Sequence, residues 1–195
     1  MTEKRLNRRD VVARLVAGRD ETVVIAGLGA TTYDLAAAGD HPRNFYLWGA
    51  MGGAAMMGLG LALAQPALPV LVITGDGEML MGLGAFATIA LHNPRNLTIA
   101  VLDNESYAET GGQKTHTAYG TDLAAVAKAC GIADAMTLRR LEEVDLLAVR
   151  AHALSEGTTV AAIKIAPGEL PKVLPPRDGG FMTNRLRGAL GFPPM

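Results

Sequence analysis

The sequence is poor in several features that would commit it to particular protein classes. One cysteine among 195 residues, Cys130, excludes an intramolecular disulfide and suggests a reducing, cytoplasmic setting. Within Ala-Lys-Ala-Cys-Gly it reads as a small core residue rather than a nucleophile. The formal net charge is only −1, so no basic surface for nucleic acid is expected. No Gly-x-x-x-x-Gly-Lys-Ser/Thr loop occurs, which weighs against a nucleotide-binding α/β protein. The first ten residues are charged and lack an apolar core, so no secretory signal is expected. Charge is absent altogether from residues 45–74, a length that could cross a bilayer. Pro66 and Pro69 interrupt that stretch, however, and Gly49, Gly52, Gly53, Gly58 and Gly60 crowd its first half. Two buried elements joined by a proline-containing turn explain it better than a membrane span.

What is present is apolar residues at 49%, charged residues at 19% and 23 glycines. That balance suits a globular domain with a sizeable core and many tight turns. Residues 3–17 read as a helix with Val11, Val12, Leu15 and Val16 in one stripe, and Lys4, Arg5, Arg8 and Arg9 on a solvated face. Apolar runs at 22–26, 44–47, 70–74, 97–102 and 158–165 read as strands. Helices are expected near 31–38, 52–64, 83–92, 121–129 and 141–154. The run Val70-Leu-Val-Ile-Thr74 is apolar at every position, as a strand covered on both faces must be. Alternating strands and helices predict a three-layer α/β domain, a mostly parallel sheet with helices on both faces. We expect one domain over residues 1–166 and a tail of little pattern over 167–195.

Ligands in such sheets sit at the carboxyl ends of the strands. The loops expected there are residues 27–32, 75–78 and 103–113. Thr74-Gly75-Asp76-Gly77-Glu78 follows one buried strand, and Asp103-Asn104-Glu105-Ser106 follows the next. Neighbouring parallel strands would bring the Asp76 carboxylate and the Asn104 side-chain carbonyl together. These are hard oxygen donors, suited to Mg²⁺ or Ca²⁺. The glycines around Asp76 open backbone amides to a phosphate, and a helix beginning there would favour an anion. The pattern reads as a metal-bridged diphosphate site. His116, on the long loop 103–120, is a possible acid–base group or an exposed loop residue. His41, His92 and His152 read as structural or surface residues.

Gly75-Asp76-Gly77 followed by Asn104 resembles the thiamine diphosphate motif of the decarboxylase and acetohydroxyacid synthase superfamily. The segments Asn44-Phe-Tyr-Leu-Trp-Gly-Ala-Met-Gly52, Met81-Gly-Leu-Gly84 and Glu109-Thr-Gly-Gly-Gln113 look like the phosphonopyruvate and sulfopyruvate decarboxylases. The resemblance covers roughly residues 20–165 and concerns the diphosphate-binding domain. It implies thiamine diphosphate held with a metal by Asp76, Asn104 and the Ser106 backbone carbonyl. It also implies cofactor contacts from Thr31, Thr32, Gly75, Gly77, Glu78 and Tyr107. Met51 matches the bulky residue that supports the bent cofactor, and the Gly49 carbonyl matches an acceptor for its aminopyrimidine.

The resemblance carries departures. The chain is too short to include the pyrimidine-binding domain, which normally brings the glutamate that activates the aminopyrimidine. It therefore implies a separate partner subunit, a hetero-oligomer and an active site at the interface. Gly53 stands where a histidine is frequent, and Tyr33-Asp34 where an Arg-Glu pair is frequent, which leaves the substrate anion open. The activity implied is decarboxylation of a 2-oxo acid by a β-type subunit. Alternatives are a carboligase, an acyl-transferring oxidoreductase subunit, or a non-catalytic cofactor-binding homo-oligomer.

Overall fold

The computed structural model describes residues 5–195. Its centre is a six-stranded, all-parallel sheet of β1 (Val23–Ala26), β2 (Asn44–Tyr46), β3 (Val70–Gly75), β4 (Leu97–Asp103), β7 (Asp134–Leu138) and β8 (Thr159–Lys164). The strand order is β2-β1-β3-β4-β8-β7. A small antiparallel hairpin, β5 (Ser106–Tyr107) with β6 (Gln113–Lys114), projects from the loop after β4.

Successive side chains of a strand point to opposite faces, and here both sets are apolar. Val70, Val72, Ile99, Val101, Val160 and Ala162 face one layer. Leu71, Ile73, Ala100, Leu102, Ala161 and Ile163 face the other. The first layer holds α3 (Ala54–Ala64), α4 (Asp76–Met81), α5 (Ala85–His92) and α6 (Leu123–Ala129). The second holds α1 (Arg8–Leu15), α2 (Ala30–Ala37), α7 (Leu141–Ala151) and α8 (Gly179–Ala189). The expected three-layer α/β architecture is therefore the observed one. No helix of the described residues is long and apolar enough to cross a membrane.

Several elements differ from the sequence reading. The first helix starts at Arg8, capped by the Asn7 side chain; residues 3 and 4 of the expected helix lie outside the described residues. Arg8 is 7% exposed rather than solvated. Its Nε donates to Asp34 at 2.7 Å, and Arg9 reaches the same carboxylate at 3.1 Å. The expected helix 83–92 is α5, which begins at Ala85, and a separate short helix, α4, precedes it across Gly82–Gly84. Strand β7 went unread because Asp134-Ala-Met-Thr-Leu is short, mixed in polarity and only partly buried. It is an edge strand, where one-sided burial weakens the apolar signal.

The segment after Pro167 carries α8. Met182 and Leu186, one turn apart, are buried against the second layer. Arg185 donates to Asp40 and to the Asn44 carbonyl at the edge strand β2. We expect Met182→Ala to lower stability by about 2–4 kcal/mol, the cost of a core cavity; a thermal melt unchanged from wild type would show that α8 is not docked.

Candidate functional site

The carboxyl ends of β1, β3 and β4 open into one cavity of about 630 Å³, part of it open to solvent. The parallel register of β3 and β4 pairs Gly75 with Leu102. Each chain then turns away, so Asp76 and Asn104 both line the cavity. Gly75, Gly77, Glu78, Thr31, Ser106, Tyr107 and Met51 line it as well. Helix α2 begins at its edge after Gly29 and has no side-chain cap, so its first amides are left for a ligand.

Asp76 is 2% exposed. Its Oδ2 accepts from the Thr115 hydroxyl at 2.6 Å and lies 3.1 Å from that of Thr117. Thr117 Oγ1 is also 2.8 Å from Asp103 Oδ1, so its single proton serves one carboxylate at a time. Burial pushes the Asp76 carboxyl up and nearby Asp103 adds to this, while the threonine hydroxyls oppose it. Asp103 is in turn paired with Lys164 at 2.6 Å. Among the described residues Asp76 has threonine hydroxyls but no cationic partner of its own, and such a buried carboxylate is a site that a bound cation would stabilise.

Asn104 turns its Oδ1 back to accept from Ser106 N at 2.9 Å. The turn depends on Glu105, whose φ is +62°, a left-handed conformation that costs a glutamate about 1 kcal/mol. Arg5 at 2.6 Å and Lys164 at 3.2 Å hold the Glu105 carboxylate in place. Burial would raise that carboxyl, but hydrogen bonds and charge from these two residues win and lower it.

Glu78 is turned inward, behind the loop after β1. Its Oε2 accepts from Leu28 N at 3.2 Å, and its Oε1 is buried without a hydrogen bond of normal geometry. Burial pushes this carboxyl up, against nearby donors on Thr74, Leu28, Ala54 and Gly52. The close fit requires Gly27, where a Cβ would lie 1.8 Å from the Glu78 carboxylate. Glu78 therefore ties together the segments that carry Thr31 and Met51.

Met51 sits at the rim, 39% exposed. Its loop rests on the end of α4, where a Cβ at Gly82 would come within 2.3 Å of the Gly52 carbonyl oxygen. The atoms it would meet all belong to the Gly52 backbone, so we expect Gly82→Ala to destabilise the chain by about 1–3 kcal/mol and to shift Met51. An unaltered melting temperature would contradict that packing.

Other expected residues fall elsewhere. The hydroxyls of Thr31 and Thr32 both donate to Gly27 O, at 2.9 and 2.7 Å; Thr31 lines the cavity, whereas Thr32 is fully buried. Gly49 is exposed, with φ +81°, and His116 is exposed on the loop after β6. Neither is among the cavity-lining residues. Cys130 is a free, half-buried residue packed against the first layer. His152 shares a hydrogen bond of 2.9 Å with Thr22. The sequence reading missed Thr115, Thr117 and Arg8. The Thr115-His116-Thr117 alternation is the signal available for the two threonines, since it puts both on the side opposite His116.

Fold and site together define an α/β domain with a cleft, lined by Asp76 and Asn104, at the carboxyl edge of a parallel sheet. More particularly, residues 26–164 match the thiamine pyrophosphate enzyme, C-terminal TPP binding domain, and the chain belongs to that family. It is 41% identical over 139 residues to sulfopyruvate decarboxylase subunit beta of Methanocaldococcus jannaschii, covering 71% of this chain and 73% of that one. It is 39% identical over 180 residues to phosphonopyruvate decarboxylase of Streptomyces viridochromogenes, covering 89% of this chain but only 43% of that one. Among solved structures, benzoylformate decarboxylase from Polynucleobacter necessarius superposes with a TM-score of 0.67 at 21% identity, covering 89% of this chain and 36% of that one. That last likeness concerns the fold alone.

Proposed function

We propose that this chain is the β-type subunit of a thiamine diphosphate- and Mg²⁺-dependent 2-oxo acid decarboxylase, active with a separate pyrimidine-binding subunit. The observation that carries the proposal is the shared cavity of Asp76 and Asn104 at the ends of neighbouring parallel strands. It is supported by relatives at 35–44% identity that are named sulfopyruvate decarboxylase subunit beta or phosphonopyruvate decarboxylase.

The donor set fits a hard cation. Asp76 offers a carboxylate, Asn104 an amide oxygen and Ser106 a backbone carbonyl. Among the described residues no three His, Cys, Asp or Glu side chains cluster as metal ligands. A single carboxylate suits Mg²⁺, which takes much of its shell from phosphate oxygens and water. Thr115 and Thr117 would fix the Asp76 rotamer and leave its second oxygen for the metal. The amides at Gly77 and at the start of α2 would meet the diphosphate. When bound, thiamine diphosphate supplies the nucleophilic carbon and the electron sink for loss of CO₂.

Met51 would hold the cofactor bent from the rim. Because it is half-exposed, Met51→Ala should leave the melting temperature near wild type and slow turnover of the assembled enzyme about tenfold, through misorientation. Wild-type kinetics would reduce Met51 to a surface contact. The proposal as a whole is tested by co-expressing the chain with a pyrimidine-binding subunit and measuring CO₂ release from 2-oxo acids. Acetoin-type products instead of CO₂ release alone would favour the carboligase reading.

A further inference from the structure

Arg8 is a buried charged residue that the proposed site does not use. It lies outside the segment matched to the family, residues 26–164, yet it lines the same cavity as Asp76 and Asn104. The residues before it explain how it gets there. Leu6 forms a parallel bridge with Ile165, Leu6 N donates to Lys164 O at 3.3 Å, and Ala166 N donates to Leu6 O at 2.7 Å. The chain is thus stitched to the carboxyl end of β8, and α1 starts beside the cavity.

The guanidinium is held by two acceptors. Nε donates to Asp34 Oδ2 at 2.7 Å and Nη1 to Gly168 O at 2.8 Å. Nη2 has no acceptor among the described residues. Because the group is planar, two fixed nitrogens set the direction of the third, and little entropy remains to be lost on binding a ligand. Arg9 also reaches Asp34, through Nε at 3.2 Å and Nη2 at 3.1 Å to Oδ1. Two arginines share one carboxylate, so the cluster carries one net positive charge beside the cavity. Helix stability does not account for a cation here, since it stands in the first turn of α1, where the helix dipole disfavours it. The uncapped amides at the start of α2 add to the same positive field.

We infer that Arg8 is a diphosphate-binding residue, with Nη2 donating to a non-bridging phosphate oxygen of the ligand. The inference rests on the reading of the cavity as a thiamine diphosphate site, and it adds a cationic contact from outside the matched domain.

The test titrates Mg²⁺–pyrophosphate, and separately Mg²⁺–thiamine diphosphate, into the full chain by calorimetry. Arg8→Met should weaken both about ten- to a hundredfold, as loss of one charge-assisted hydrogen bond does, and Arg8→Lys should fall between. Arg9 still pairs Asp34 in Arg8→Met. If that variant nevertheless melts early, Arg8→Met/Asp34→Asn removes the pair together and is expected to show the same loss. Wild-type affinity in either folded variant overturns the role of Arg8 and leaves the site reading standing. A wild-type chain that binds neither probe overturns the site reading, and this inference with it.

Discussion

Purified alone, the chain should release no measurable CO₂ from 2-oxo acids, and activity should appear when a pyrimidine-binding subunit is added. The expectation follows from where its carboxylates are. The acidic residues lining the cavity are Asp76, Glu78 and Glu109. Asp76 is turned to Thr115 and Thr117. Glu78 is packed behind Gly27. Glu109 is an exposed loop residue whose carboxylate lies against Gly29. None is left to hold and move a proton at an aminopyrimidine from this side of the cleft. Losing a positioned acid–base group costs about a hundred- to ten-thousandfold in rate, so the single chain should fall at least that far below the complex. Robust turnover by the single chain would refute the split-subunit account. The exposed Met56, Leu63 and Met81 on α3 and α4 are the kind of apolar surface such a partner would cover.

The second large effect is expected at Asp76. Asp76→Ala should abolish metal-dependent binding of thiamine diphosphate, and Asp76→Asn should do the same while stabilising the metal-free chain. Burial holds the native Asp76 carboxyl above its ordinary value of 3.8. In the pH range between those two values the folded chain binds more protons than the unfolded chain. Stability from this group is therefore lost as pH rises through the raised value, and at pH 8 the ionised carboxylate is a burden on the metal-free fold. Asparagine removes that burden and keeps an oxygen for Thr115 and Thr117. In the presence of a chelator, Asp76→Asn should melt above wild type at pH 8, by about 1–3 kcal/mol of stability, with the gap closing near pH 4. Mg²⁺ should raise the melting temperature of wild type and leave the variant unmoved. A variant that melts with or below wild type at pH 8 would mean that Asp76 is adequately satisfied without a cation.

Much of the architecture was legible because it rests on local pattern. A strand such as Val70-Leu-Val-Ile is apolar at every position only if both faces are covered, and β3 is covered on both. The register of β3 with β4 then follows from adjacency, and it brings Asp76 and Asn104 to one cavity. What stayed hidden depends on contacts distant in sequence. Arg8 reads as part of a polar helical face, because its acceptor Asp34 lies 26 residues away and the Gly168 carbonyl 160 residues away. Thr115 and Thr117 reach Asp76 across 39 and 41 positions. Helix α8 buries mainly Met182 and Leu186, too few apolar positions to stand out in a segment broken by prolines. Thr31 and Thr32 read alike as ligand donors, but both hydroxyls bond the Gly27 carbonyl, and only Thr31 lines the cavity, because one residue further along the helix Thr32 faces the interior.

The central claim is that the cleft binds a diphosphate through a metal bridged by Asp76 and Asn104. Its most direct test is a calorimetric titration of thiamine diphosphate, and of thiamine lacking the diphosphate, into the wild-type chain with Mg²⁺ and again with a chelator. The account predicts binding of thiamine diphosphate with Mg²⁺ only, and none of thiamine under either condition. Equal binding of both ligands, or binding that survives the chelator unchanged, would contradict it.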